Sequence, residues 1–185
     1  MIPVINQPEL RIRQGDIIKE VECIQDFSLE GGQVKLETIV FPYILVLTQD
    51  CDLTWDFDNR NRQDSSTQDK YLFSVIVVPL YNAEQFIAGE HLLEIGQRMQ
   101  AFSNKPNKTD RKNLSNNENP RYHYLNFSDD MRMPDLVADF KHYFTLNVKK
   151  VEKSKKSNLV CSLPELYREL VSQRFSNYLS RIGLP

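Results

Sequence analysis

A chain of 185 residues, 41% hydrophobic and 26% charged, is long enough to bury a core and too evenly mixed for a disordered or fibrous protein. No apolar run approaches the ~18 residues of a membrane span and nothing reads as a cleavable signal, so a membrane partner is excluded and a cytoplasmic location expected. The formal charge of -2 hides a polarity, because residues 1–99 carry 8 Lys and Arg against 16 Asp and Glu, and residues 100–185 carry 15 against 9. The basic half could attract nucleic acid, or the halves could simply complement each other.

Pro3 and Pro8 keep the N-terminal arm extended. A Gly15-Asp16 turn then leads into a half-buried strand over 17–27, with Ile17, Val21, Cys23 and Phe27 on one face and Glu20, Glu22 and Asp26 opposite. Gly31-Gly32 marks a hairpin turn into a strand over 33–40. The apolar run from Phe41 to Leu47 continues as a buried strand that delivers Gln49, Asp50, Cys51 and Asp52 to a surface. Residues 56–70 are polar without periodicity and read as a loop, and 71–81 is a second apolar strand ended by Pro79.

Asn82 with Gln85 has capping-box spacing for a helix carrying Phe86, Ile87, Leu92, Leu93 and Ile95, short or broken because of Gly89 and Gly96. Residues 103–120 form a polar excursion, 121–127 and 136–146 two further strands with a turn at 128–130, and 149–156 a basic surface segment. Ser162, Pro164 and Glu165 open an amphipathic helix whose apolar positions recur from Leu163 to Ile182 before a Gly183 stop. One domain is expected, with a core at 11–82, a helix-and-loop insertion at 82–120, strands at 121–148 and a C-terminal helix at 162–183.

Three landmarks in order give a resemblance. Gln14-Gly15-Asp16-Ile17-Ile18 is similar to the Gly-Asp-hydrophobic start of the first strand in MazF/PemK-type, toxin-related proteins. The run Phe41-Pro42-Tyr43-Ile44-Leu45-Val46-Leu47-Thr48 resembles their Arg-Pro-hydrophobic strand, and Val75-Ile76-Val77-Val78-Pro79-Leu80-Tyr81 their strand ending in Pro-hydrophobic-Thr. The resemblance covers residues 11–82 and implies an α+β, mainly β fold: an SH3-like β-barrel, here with a helical insertion and a C-terminal amphipathic helix. It implies a toxin-like or defence-associated protein whose partners are RNA and a partner or antitoxin protein, with a homodimer as a further option. Phe41 and Tyr81 stand where the family has the arginine and threonine of its metal-independent RNA cleavage. A phenylalanine cannot stabilise phosphoryl charge. The expected function is therefore binding of nucleic acid or a partner protein, the alternatives being an endoribonuclease with a rebuilt site and a structural interaction module.

The candidate catalytic residues for a rebuilt site are Gln49, Cys51, Asp52, Arg121 and His123. A reactive Cys51 would need a cation beside it to favour the thiolate, and its neighbours Asp50 and Asp52 act the other way. Three widely spaced cysteines form no metal or redox pair, which fits a reducing compartment. Asp50, Asp52, Asp56 and Asp58 offer oxygen ligands but lack the offsets of a calcium loop, so neither a metal nor another cofactor is expected. Arg121, His123 and Tyr124 read as an aromatic-basic strand start, with Arg121 and His123 on one face. Arg121, Tyr124, Lys149 and Lys150 are the candidate nucleic-acid contacts. His142, on an apolar face, reads as a hydrogen-bonded core residue, and His91 has no role.

Overall fold

The computed structural model describes residues 2–4, 11–62, 67–106, 108–127 and 133–181. Pro8, the turn at 128–130, Ile182 and Gly183 lie outside them. The fold is α+β, built on an open antiparallel sheet of seven strands. These are β1 (Asp16–Glu30), β2 (Gln33–Val46), β3 (Ser74–Asn82), β4 (Tyr122–Leu125), β5 (Leu136–Asp139), β6 (Phe144–Asn147) and β7 (Leu159–Ser162). Five α-helices accompany them among the described residues: α1 (Asp50–Arg60), α2 (Ala83–Ala88), α3 (Thr109–Ser115), α4 (Val148–Asn158) and α5 (Glu165–Leu179). The strand order is β4-β5-β3-β2-β1-β7, with β6 also paired to β3. None of the described helices is long and apolar enough to cross a membrane.

Alternation along the central strands gives the sheet two covered faces. Ile17, Leu45, Leu47, Val78 and Leu80 pack under Val171 and Phe175 of α5. Ile18, Ile44, Val46, Val75 and Val77 pack under Leu53 of α1 and Val148 and Val151 of α4. A third cluster joins Tyr81 and Val137 to Phe86, Leu92 and Leu114.

The expected strand over 136–146 is two strands joined by a 3-10 turn at Phe140–His142. Pro79 gives the reason. Leu47 N–H donates to Ile76 O at 2.9 Å, so Pro79, three residues on, turns its backbone to the opposite edge, where it has no N–H to offer. The ladder on that edge breaks there, and β6 pairs with Ser74–Val77 while β5 pairs with Leu80–Asn82.

Four further expectations are corrected. The polar end of the 41–53 run is not strand, because β2 stops at Val46 and α1 begins at Asp50. Asp50 and Asp52 in the first turn suit the positive end of the helix, and the buried Asp56 hides its apolar side from a reading by hydrophobic period. The basic stretch at 149–156 is helix α4, and Lys155 within it is buried. Its ammonium lies 2.8 Å from Asp16 Oδ2 and donates to Arg11 O. Ser162 does not cap α5, because it belongs to β7 and its hydroxyl donates to Asp16 Oδ1 at 2.5 Å. Phe27 does not share a face with Val21, because the β1–β2 register shifts between Ile24 and Asp26, and Val21 packs with Ile18 rather than Ile17 because Glu20 between them has φ +54°.

The Gly15-Asp16 motif is thus structural. Gly15 has φ +87°, and a Cβ there would lie 3.0 Å from the Arg168 Cβ. Asp16 ties β1 to α4 and β7 from inside the protein.

Candidate functional site

Two polar regions stand out from the packed body. The first is a groove between α1 and α4. On α1, Leu53 and Asp56 turn inward. The Asp56 carboxylate accepts from Leu72 N–H at 2.6 Å and Arg60 Nε at 2.8 Å, while Arg60 Nη2 donates to Leu72 O and Tyr71 Oη to Asn59 O. These bonds hold residues 71–72 along the helix, with Tyr71 beside Arg60 and Phe57. On α4, Asn147 caps the Lys149 N–H, and Val148, Val151 and Lys155 face the core. Lys149, Lys153 and Lys156, spaced i, i+4 and i+7, therefore form an exposed stripe. None of the three has an ionic partner among the described residues. The groove holds about 520 Å³ and is lined by Phe57, Arg60, Asn61, Tyr71, Lys149, Glu152 and Lys156. Trp55 is half exposed with the Lys70 ammonium 5.6 Å from its ring, and Phe73 is 93% exposed.

The second region surrounds Asp139, buried at the end of β5. Its carboxylate accepts two bonds from Arg121, at 2.8 and 2.5 Å, and one from the Lys141 N–H at 3.0 Å. His142 Nδ1 lies 3.5 Å from Asp139 Oδ2 and 3.1 Å from Tyr81 Oη, so Tyr81, His142, Asp139 and Arg121 form one polar chain. His91 stacks on Phe86 at 4.3 Å and tilts against Tyr81 at 4.6 Å, and neither ring nitrogen has a partner among the described residues. Burial pushes His91 down to about 4, lowers His142, and raises Tyr81, so all three are neutral at pH 7. The hydrogen bonds that Arg121 donates to Asp139 favour its charged form.

Two cavities flank this chain. One of about 410 Å³ is lined by His91, Phe102, Asp110, Arg121, Tyr122 and Asp139. The other, about 290 Å³ and mainly apolar, is lined by Cys23, Ile39, Phe41, Tyr81, His142 and Phe144. Phe41 and Tyr81, the two departures from the MazF/PemK pattern, thus face one slot.

The sequence candidates separate into three places. Gln49 sits at the N-cap of α1, and Cys51, exposed, contacts Gln49 Oε1 at 3.6 Å and Asp52 Oδ1 at 3.8 Å. Beside them Asp50 meets Arg11, Arg168 and the Gln14 N–H. Burial raises its pKa, but these partners outweigh it and hold the carboxyl below the usual range. Arg121 lies on Asp139, and its guanidinium also covers the Tyr122 ring at 4.9 Å. His123 points into the core near Phe140 instead, so the two do not share a face. Burial, aided by Arg174, pushes His123 down to about 3, which leaves it uncharged. Tyr124 donates to Asp135 Oδ2 at 2.7 Å, and burial with this bond raises it to about 12. Lys149 lines the groove and Lys150, half-buried, follows it on α4.

No protein-family model matches the chain, and no curated protein does either. The sequence reading missed Phe57, Arg60 and Tyr71 in the groove, and Tyr81, His91 and His142 around Asp139. The i, i+4, i+7 lysines were the available signal for the groove, and Asp139 with His142 at i, i+3 for the chain. Among the described residues no group of three or more His, Cys, Asp or Glu could hold a metal ion.

Proposed function

We propose that the protein binds single-stranded nucleic acid, RNA in the first instance, along the groove between α1 and α4. The observation that carries this reading is the α4 lysine stripe, without ionic partners among the described residues, of which Lys149 and Lys156 line a groove walled by Phe57 and Tyr71 and Lys153 lies next to them on the helix. Lysines without carboxylate partners attract phosphate whatever the sequence, and exposed rings such as Trp55 and Phe73 stack on any base. A relation of residues 11–82 to MazF/PemK-type proteins rests on the three sequence landmarks at Gly15-Asp16, Pro42 and Pro79. A toxin-like or defence-associated role, with an antitoxin-like partner, follows from that relation.

Fluorescence anisotropy of a labelled single-stranded RNA tests it. Three lysine–phosphate contacts predict a log–log salt slope of about -2. Absence of binding at low salt, or an affinity indifferent to salt, would overturn the proposal.

A second reading, RNA cleavage at a rebuilt site, is favoured by the Tyr81–His142–Asp139–Arg121 chain beside the Phe41 slot. There His142 would exchange a proton with the ribose or leaving group. Cleavage that persists in EDTA and is lost in His142→Gln supports it, and intact RNA under all conditions rejects it.

A further inference from the structure

The β1–β2 ribbon leaves the sheet. β7 pairs with β1 only at Asp16–Ile18, and β3 pairs with β2 only at Tyr43–Val46. Beyond these, the two strands pair solely with each other as far as Glu30 and Gln33, an arm of about 30 Å from residue 22 to its tip. Gly31 and Gly32 at the tip both have positive φ, as a two-residue type I′ turn requires. A two-stranded ribbon alone in water is marginally stable at best.

The register sorts its side chains. Phe27 faces Leu36, Leu29 faces Val34, Ile24 faces Thr38 and Glu22 faces Val40, all on one face. The six large apolar residues of the arm (Ile24, Phe27, Leu29, Val34, Leu36 and Val40) therefore share that face, and each is more than half exposed. Asp26 stands opposite Glu37 and Glu30 opposite Gln33 on the other face, which suits water. The register shift beside Gln25 produces this segregation, since unbroken alternation would put Phe27 with Cys23.

We infer that this apolar face is a dimerisation surface whose occupant is the same face of a second copy of this chain. Five carboxylates against one lysine across residues 20–40 disfavour nucleic acid and an anionic membrane as occupants. The exposed apolar area is roughly 500–600 Å², as large as the biggest patch of an ordinary monomer. Two such faces packed by a twofold axis bury about 1,000–1,200 Å², which reaches the range of a specific interface. A twofold contact is self-complementary, so one sequence supplies both halves, and the acidic faces stay outward on both sides.

Sedimentation equilibrium of the full chain, with circular dichroism as a check on folding, tests the inference. The wild-type protein is expected to be dimeric at about 100 µM, a concentration that reveals even a weak dimer. Phe27→Glu and Leu36→Glu, each on the exposed face and away from the core, are expected to yield monomers of unchanged secondary structure. Glu37→Gln, on the opposite face, is expected to leave the dimer intact. A monomeric wild type, or a dimer that survives both glutamate variants, would overturn it. RNA plays no part in the readout, so the outcome is independent of the function proposed for the α1/α4 groove.

Discussion

Arg121 and Lys155 each meet a buried carboxylate, Asp139 and Asp16, whereas Lys149, Lys153 and Lys156 meet none among the described residues. Both kinds of cation occur within one basic half of the sequence, and on α4 they occupy the same helix. The difference lies in which way the side chain points. A cation directed inward must be neutralised, because an unpaired buried charge costs several kcal/mol. Once neutralised it has little left to offer a phosphate. A cation directed outward keeps its field and stays available.

Replacing members of each group sharpens the contrast. Lys155→Met leaves Asp16 buried without its counter-charge and should destabilise the fold by about 3–5 kcal/mol in urea unfolding. Arg121→Met should cost less, because its guanidinium is one-quarter exposed. Neither is expected to change RNA affinity per folded molecule. The triple change of Lys149, Lys153 and Lys156 to Gln should do the reverse. It should leave stability within about 0.5 kcal/mol and weaken RNA binding about a hundredfold at 0.1 M salt, as measured by anisotropy. Equal loss of affinity in Arg121→Met and the lysine triple would break the distinction.

A smaller effect concerns His123, the candidate base that turned out to be core. Its pKa is about 3 folded and about 6.5 unfolded, so between these values the unfolded chain binds the extra proton. Stability is complete above pH 6.5 and declines as pH falls toward 3, by at most ~1.4 kcal/mol per unit from this residue. His123→Phe should flatten the slope in that window, with thermal unfolding at pH 4, 5 and 7 as the measurement. The smallest expected effect is Phe73→Ala, which should lose about 1 kcal/mol of RNA affinity through a missing stacking contact and no stability.

The sequence reveals the central scaffold because its strands are long apolar runs bounded by Gly and Pro. The Gly31-Gly32 turn, the Asn82-capped short helix and the main course of α5 are legible for the same reason. Helix α1 is not, since its buried face carries Asp56 where periodicity looks for an apolar residue. Strand β7 is four residues long and adjoins a helix, too short for alternation to declare it. For the site, the α4 lysines and their i, i+4, i+7 spacing are visible, but the segment does not read as a helix, so the shared face is not. The Asp139 cluster joins residues from positions 81, 91, 121, 139 and 142, and only tertiary pairing brings these together.

Trp55, the single tryptophan of the chain, is half exposed on α1, the helix that supplies Phe57 and Arg60 to the groove, and gives the most direct test. Intrinsic fluorescence should be quenched on titration with single-stranded RNA, saturably, with an affinity that falls about a hundredfold for a tenfold rise in salt. The lysine-stripe variant should need correspondingly more RNA for the same quenching. Quenching that the lysine changes leave untouched would contradict RNA binding at the α1/α4 groove.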